Sequence, residues 1–220
     1  MRDEDPRYQV AGGLAAAIER LRGVSPAWIG DAQATTNVMD PGINPIWDGA
    51  AAVGPAFTAK CYANSIITVH KALLEAPPGS VVVVDGAGDC TGALFGEMMA
   101  TQARANGVAG LVVDGAVRDR DALRGLGFPV FARAVTPRVG SNRRVGTTQE
   151  DVVCGGVVVR PGDLIVGGAD GVAVVPRARL AQVLVAVDAV AKKEAEMHAR
   201  MQRGELLADI LGLRGLIYPA

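Results

Sequence analysis

Between residues 80 and 135 the chain alternates short apolar runs with amphipathic stretches, at the lengths that strands and helices need. SVVVVDG (80–86) is a continuous apolar run bounded by turn residues, which predicts a strand buried on both faces. Residues 93–106 carry the helical pattern, and AGLVVDG (109–115) predicts a second buried strand. Strand, helix and strand at this spacing make a βαβ unit, whose crossover is almost always right-handed and whose strands are parallel. Residues 118–126 predict a short helix, and PVFARAV (129–135) a further strand.

The flanks are patterned differently. Residues 8–22 read as a helix stopped by Gly23, and Ser25 followed by Pro26 opens another. Residues 40–54, rich in Pro, Gly and Asn, predict a long irregular loop. Residues 57–62 then predict a strand, and 66–74 a helix ended by Pro77, Pro78 and Gly79. Beyond Gly140 the runs shorten. DVVCGGVVVR, LIVGG and VAVVP, separated by turns at 161–163 and at Asp170 and Gly171, predict antiparallel pairs. Residues 177–203 read as one long helix, apolar at first and strongly charged from AKKEAEMHARMQR onward. The charged half is either a solvated tail or an arm packed on a neighbouring subunit.

Composition fits one α/β domain over residues 1–220, with a C-terminal helical arm from about 177 to 220. The chain has 220 residues, 50% of them apolar and 20% charged, so it can bury a core without a disulfide or metal staple. A formal net charge of −1 provides no global field toward nucleic acid or an anionic membrane, and neither is expected as a partner. Cys61, Cys90 and Cys154 are odd in number and lack ligand spacing, which fits a reducing compartment and predicts three buried small hydrophobes. The apolar runs fall far short of the roughly 20 residues that cross a bilayer. The opening decapeptide MRDEDPRYQV has no apolar stretch of the signal-peptide kind. The expected location is cytoplasmic.

Chemistry in a parallel sheet concentrates in the loops after the carboxyl ends of strands. Two such loops fall on one edge here: 85–92, glycine-rich and leading into a helix, and 114–119. The first fails the dinucleotide fingerprint, because Gly86 and Gly88 fit but Thr91 stands at the third position. No Walker pattern, G-x-S-x-G elbow or zinc-ligand spacing occurs. A helix start near Gly96, Glu97, Met98 and Met99 offers free amides to a small anion. Arg118 offers a bidentate fork for a carboxylate, and Asp119 with Glu97 offers hard oxygen ligands for Mg²⁺ or Mn²⁺. The plainer reading is that Arg118 and Asp119 cap the helix that follows while Glu97 favours its own first turn. His70, in an apolar helix, reads as a hydrogen-bonded structural residue, and His198 lies on the charged helix.

The segment GALFGEMMATQARANGVAGLVVDGAVRDRDALRGLGFPVFARAVTP (92–137), continued by VRPGDLIVGGADGVAVVP (159–176), resembles the family of class II 4-hydroxy-4-methyl-2-oxoglutarate / 4-carboxy-4-hydroxy-2-oxoadipate aldolases and regulators of ribonuclease E activity, the RraA-like proteins. Its pattern of an acidic residue, twenty intervening residues and Arg-Asp is matched by Glu97 and Arg118-Asp119. The resemblance implies an αββα layered fold assembled as homotrimers or homohexamers. It implies that Arg118 binds the pyruvyl carboxylate and stabilises the enolate, that Asp119 holds the divalent metal, and that Glu97 anchors metal-bound waters. Backbone amides from Gly96 to Met99 would meet the oxo-acid end. A further glutamate from the C-terminal helix of an adjacent subunit would be Glu194, with Glu196 next.

The sequence departs from the family in two places. An acidic residue common three positions after the aspartate is Ala122 here, with Asp121 one place earlier, and GELLADILGLRGLI (204–217) only partly matches the aldolase ending. The expected function is metal-dependent retro-aldol cleavage of a 4-hydroxy-2-oxo acid to pyruvate and a second oxo compound, with oxaloacetate decarboxylation as a side activity and a metal-ordered water carrying the proton. The alternative is a non-catalytic ribonuclease-regulator-like binding protein. Arg133, Arg138, Arg143 and Arg144 suit either a partner surface or a substrate's distal carboxylate, and residues 34–48 are expected among the loops that read the substrate's far end.

Overall fold

A computed structural model describes residues 13–219; the expectations for residues 8–12 and for the opening decapeptide lie outside the described residues. Two helices come first, α1 (Gly13–Leu21) and α2 (Pro26–Ala32). Gly23 separates them in the left-handed region at φ +77°, and the Ser25 hydroxyl accepts the Ala27 N–H at 3.1 Å, capping α2. The chain then runs through β1 (Asn44–Pro45), β2 (Ala52–Lys60), α3 (Ile67–Glu75), β3 (Val81–Ala93), α4 (Glu97–Ala105), β4 (Gly110–Val117), α5 (Arg120–Leu126) and β5 (Val130–Val135). Strands β2 to β5 are parallel neighbours, as the βαβ pattern predicts. β1 joins β5 antiparallel, so the expected irregular loop at 40–54 contains one short strand and the start of β2.

The C-terminal strands pair antiparallel as expected. β6 (Thr147–Thr148) joins the end of β2, β7 (Val152–Cys154) and β8 (Val157–Val159) form a hairpin, and β9 (Leu164–Gly168) pairs with both β2 and β10 (Gly171–Val175). After a 3₁₀ turn at Arg177–Arg179 comes α6 (Leu180–Gln202), followed by the short helices α7 (Leu207–Ile210) and α8 (Arg214–Ile217). Among the described residues no helix is long and apolar enough to cross a membrane.

Three apolar cores order these elements into layers. Val82, Val84, Leu111 and Val113 pack under α3, α4 and α5, while Val81, Val83, Val112 and Phe131 face Ile165, Val172, Val174 and the β7–β8 hairpin. The strands curl over so far that a Cβ on Gly167 of β9 would lie 2.6 Å from the Phe131 ring of β5. Leu164, Val166, Ala173 and Val175, on the other face of β9 and β10, pack against α1, α2 and α6. The result is the expected αββα order. Burying one valine side chain stabilises by about 1.5–3 kcal/mol, so four consecutive buried valines pointing alternately to two cores strongly favour a single register.

The arm is the exception. α6 buries Leu180, Val183, Leu184 and Val187 and no residue beyond them. Past it, Leu216 is 80% exposed and Tyr218 74%.

Candidate active site

The parallel strands end at one edge, and β3 does not end where its sequence predicts. The glycine-rich stretch expected as a loop stays beside β4 as a strand with two large bulges: Asp85 pairs with Asp114, Asp89 with Gly115 and Ala93 with Ala116. The bulges leave Cys90 half-exposed, unlike the fully interior Cys154, so the expectation of three buried thiols holds for two. Residues 93–96, expected as the first turn of a helix, are extended instead. Strand-like bonds hold them: Leu94 N–H to the Ala116 carbonyl at 2.8 Å, Ala93 N–H to that of Arg138 at 2.7 Å, and Arg118 N–H to that of Phe95 at 2.9 Å. α4 therefore starts at Glu97, four residues later than the pattern indicates, with Gly96 as its cap residue.

At the end of β4 the backbone turns sharply through Asp119, which sits in the left-handed region at φ +60°. Aspartate tolerates that region better than most residues, and the turn aims its carboxylate back toward α4. Asp119 Oδ2 accepts the Glu97 N–H at 3.0 Å and the Arg118 Nε–H at 3.1 Å. This corrects the plainer expectation. The Asp119 side chain makes no capping bond to α5; it caps α4, across the sheet edge, and orients the Arg118 guanidinium at the same time. Gly96 is required between them, because a Cβ there would stand 2.6 Å from Asp119 Oδ2 and 2.9 Å from Arg118 Cγ.

The Arg118–Asp119 pair thus borders two hollows, with Arg118 lining the first and Asp119 the second. One is a cavity of about 170 Å³ lined by Arg118, Gly96, Met98, Met99 and the apolar side chains of Ile66, Phe95 and Val139, together with His70. The other is an open concavity that holds Glu97 and Asp119. Its donor set suits a hard divalent cation: Asp119 Oδ1 and the Glu97 carboxylate have no protein partner among the described residues, and Mg²⁺ commonly binds through one or two carboxylates while keeping several waters. Asp121 also lines the concavity, but among the described residues no group of three or more His, Cys, Asp and Glu side chains is placed to hold a metal ion together. Glu194 is elsewhere: its Oε2 accepts the Trp28 Nε1–H at 2.9 Å, between α6 and α2.

Residues 15–174 match the family described as RraA-like (Aldolase/RraA). The chain belongs to the RraA-like family. It is 39% identical over 183 residues to a protein of Halalkalibacterium halodurans named "Putative 4-hydroxy-4-methyl-2-oxoglutarate aldolase", a match covering 83% of this chain and 86% of the relative. Among solved structures, an uncharacterised protein from Pseudomonas syringae superposes with a TM-score of 0.78 at 28% identity, covering 89% of this chain and 96% of that one. The RNA-processing inhibitor RraA from Thermus thermophilis superposes with a TM-score of 0.64 at 29% identity, over 70% and 93% respectively.

Three expectations about this RraA-like chain are corrected by packing. Arg133 is tied into the fold, because its Nε–H bonds to Asp114 and its Nη1 to Asp40 at 3.0 Å. Residues 34–48 do not line the cavity: Met39 and Ile43 are buried between the β layers, and Asp40 holds Arg133. The wall comes instead from α3 and from Val139. His70 was expected to be hydrogen-bonded and structural, yet its imidazole has no hydrogen-bond partner among the described residues and faces the cavity. Its three-residue spacing from Ile67 and Leu73 on α3 hid this, since the pattern marks a helix face without saying what lies opposite it.

Proposed function

We propose that this RraA-like protein is a divalent-metal-dependent lyase that cleaves a 4-hydroxy-2-oxo acid to pyruvate and a second oxo compound, and that it decarboxylates oxaloacetate through the same enolate. The observation that carries the reading is the bond between Arg118, which lines an apolar cavity, and Asp119, which lines a neighbouring carboxylate-bearing concavity. Its guanidinium suits the pyruvyl carboxylate and the charge that develops as the enolate forms. The amides of Met98 and Met99, in the first turn of α4, point out of the helix end and suit the same oxo-acid group. Asp119 and Glu97 would hold Mg²⁺ or Mn²⁺, with Glu194 or Glu196 from the charged half of α6 of a neighbouring copy as a third acidic group in a trimer or hexamer. A bound cation supplies Lewis acidity to the 2-oxo group.

The test is pyruvate release from oxaloacetate and from 4-hydroxy-4-methyl-2-oxoglutarate, with Mg²⁺ added and then removed by EDTA. Release from both substrates that disappears on chelation and returns with Mg²⁺ is the expected result. No release from either by folded, metal-loaded protein would overturn it in favour of a non-catalytic, ribonuclease-regulator-like binding protein, a reading supported by the likeness to the Thermus RNA-processing inhibitor.

A further inference from the structure

Retro-aldol cleavage needs a base for the 4-hydroxyl proton; a metal-ordered water is the expected carrier, and among the residues assigned above none supplies a base inside the cavity. Guanidinium stays protonated, so Arg118 cannot accept it. Glu97 and Asp119 line the separate concavity, and the rest of the cavity wall is apolar apart from His70. His70 lies in the middle of α3, half-buried, with an imidazole that bonds to nothing else among the described residues. Imidazole is the side chain most often used to take up and return a proton.

We propose that His70 is the general base of the aldol cleavage, acting on the 4-hydroxyl of a substrate whose oxo-acid end lies on Arg118. This rests on the retro-aldol reading. The hydroxyl proton passes to an imidazole nitrogen and the O–H electron pair becomes the new carbonyl π bond. The C3–C4 bond breaks, and its pair is left on C3 and the C2 oxygen as the enolate of pyruvate. The imidazolium then returns the proton to C3, so the ring ends neutral and no oxidant, reductant or co-reactant is consumed.

Oxaloacetate separates this role from the rest of the site. Loss of CO₂ produces the same enolate with no hydroxyl proton to remove, and that enolate can take its proton from water. In the full-length, Mg²⁺-loaded protein, His70→Gln is expected to lower pyruvate release from 4-hydroxy-4-methyl-2-oxoglutarate about 100-fold or more, with oxaloacetate decarboxylation held within about 3-fold. Added imidazole is expected to restore part of the aldol cleavage to His70→Ala. Equal loss of both reactions, no loss of either, or no rescue by imidazole overturns the assignment. Wild-type protein that decarboxylates oxaloacetate but cleaves no 4-hydroxy-2-oxo acid also overturns it while leaving the enolate site intact. Release from neither substrate overturns the reading on which it rests.

Discussion

Two aspartate–arginine pairs stand at the carboxyl ends of the same parallel strands, and the fold treats them in opposite ways. Asp114, inside β4 and three residues short of its end, is buried: one oxygen accepts from Arg133 and the other takes the Gly155 N–H at 2.7 Å. Arg133 in turn reaches Asp40, so one guanidinium is shared by two carboxylates from distant segments. Arg118 and Asp119, a few residues on, remain 39% and 33% exposed; Asp119 keeps one oxygen free, and Arg118 points its fork toward a cavity. Residue type and sheet position are shared. What separates a structural pair from a candidate site is how many of its hydrogen-bonding positions the protein itself has filled.

The comparison breaks most directly at Arg118. Arg118→Ala is expected to cut pyruvate release about 100 to 1000-fold and leave the thermal midpoint unchanged, because the lost contact matters chiefly to charge that develops in the transition state. Near-normal turnover in a folded Arg118→Ala protein would place both pairs in the structural class. The converse variant is Asp114→Ala. It leaves Arg133 with Asp40 alone and strands the buried Gly155 N–H, so urea unfolding should show a loss of about 1–3 kcal/mol while turnover per folded molecule is largely kept. A stability change below about 0.5 kcal/mol, the level of an ordinary surface change, would mean that the buried pair is dispensable.

A finer test uses Gly96→Ala. The backbone there is extended and accepts any residue, so the effect comes from the close approaches of 2.6 Å to Asp119 Oδ2 and 2.9 Å to Arg118 Cγ. Pushing Asp119 and Arg118 out of register should cost about 10-fold or more in turnover with little change in unfolding midpoint.

The smallest expected effect is in acid. The Gly42 N–H, and after it the Arg133 guanidinium, hold the Asp40 carboxyl below its usual value of 3.8. A lowered carboxyl contributes stability that is fully present above the unfolded value and is lost as pH falls through the folded one. Asp40→Asn should therefore lower stability slightly at neutral pH and flatten the acid limb below about pH 4, the two proteins converging in acid, as thermal melts across that range would show.

Legibility followed the range of the interactions involved. The valine runs of β3 and β4 and the turn at Asp170 and Gly171 are local, so their pattern alone locates strands and hairpin. The start of α4 is not local. Residues 93–95 have helical character by themselves, and bonds to Ala116, Arg118 and Arg138 hold them extended. Arg133 and His70 misled for the same reason: one met two aspartates from distant segments, the other met a cavity, and neither neighbour lies close in sequence.

By itself the sequence determined the order of elements, the parallel unit, the antiparallel tail, the polar end of α6 and the spacing that brings Glu97 to Arg118 and Asp119, because periodicity and turn chemistry act over a few residues. Tertiary structure alone decided which charges were saturated and which were left free, that Asp119 caps α4 rather than α5, and that the histidine of α3 faces the Arg118 cavity. Those outcomes depend on groups meeting across the sheet edge, and a hydrogen bond or an empty space has no period along the chain.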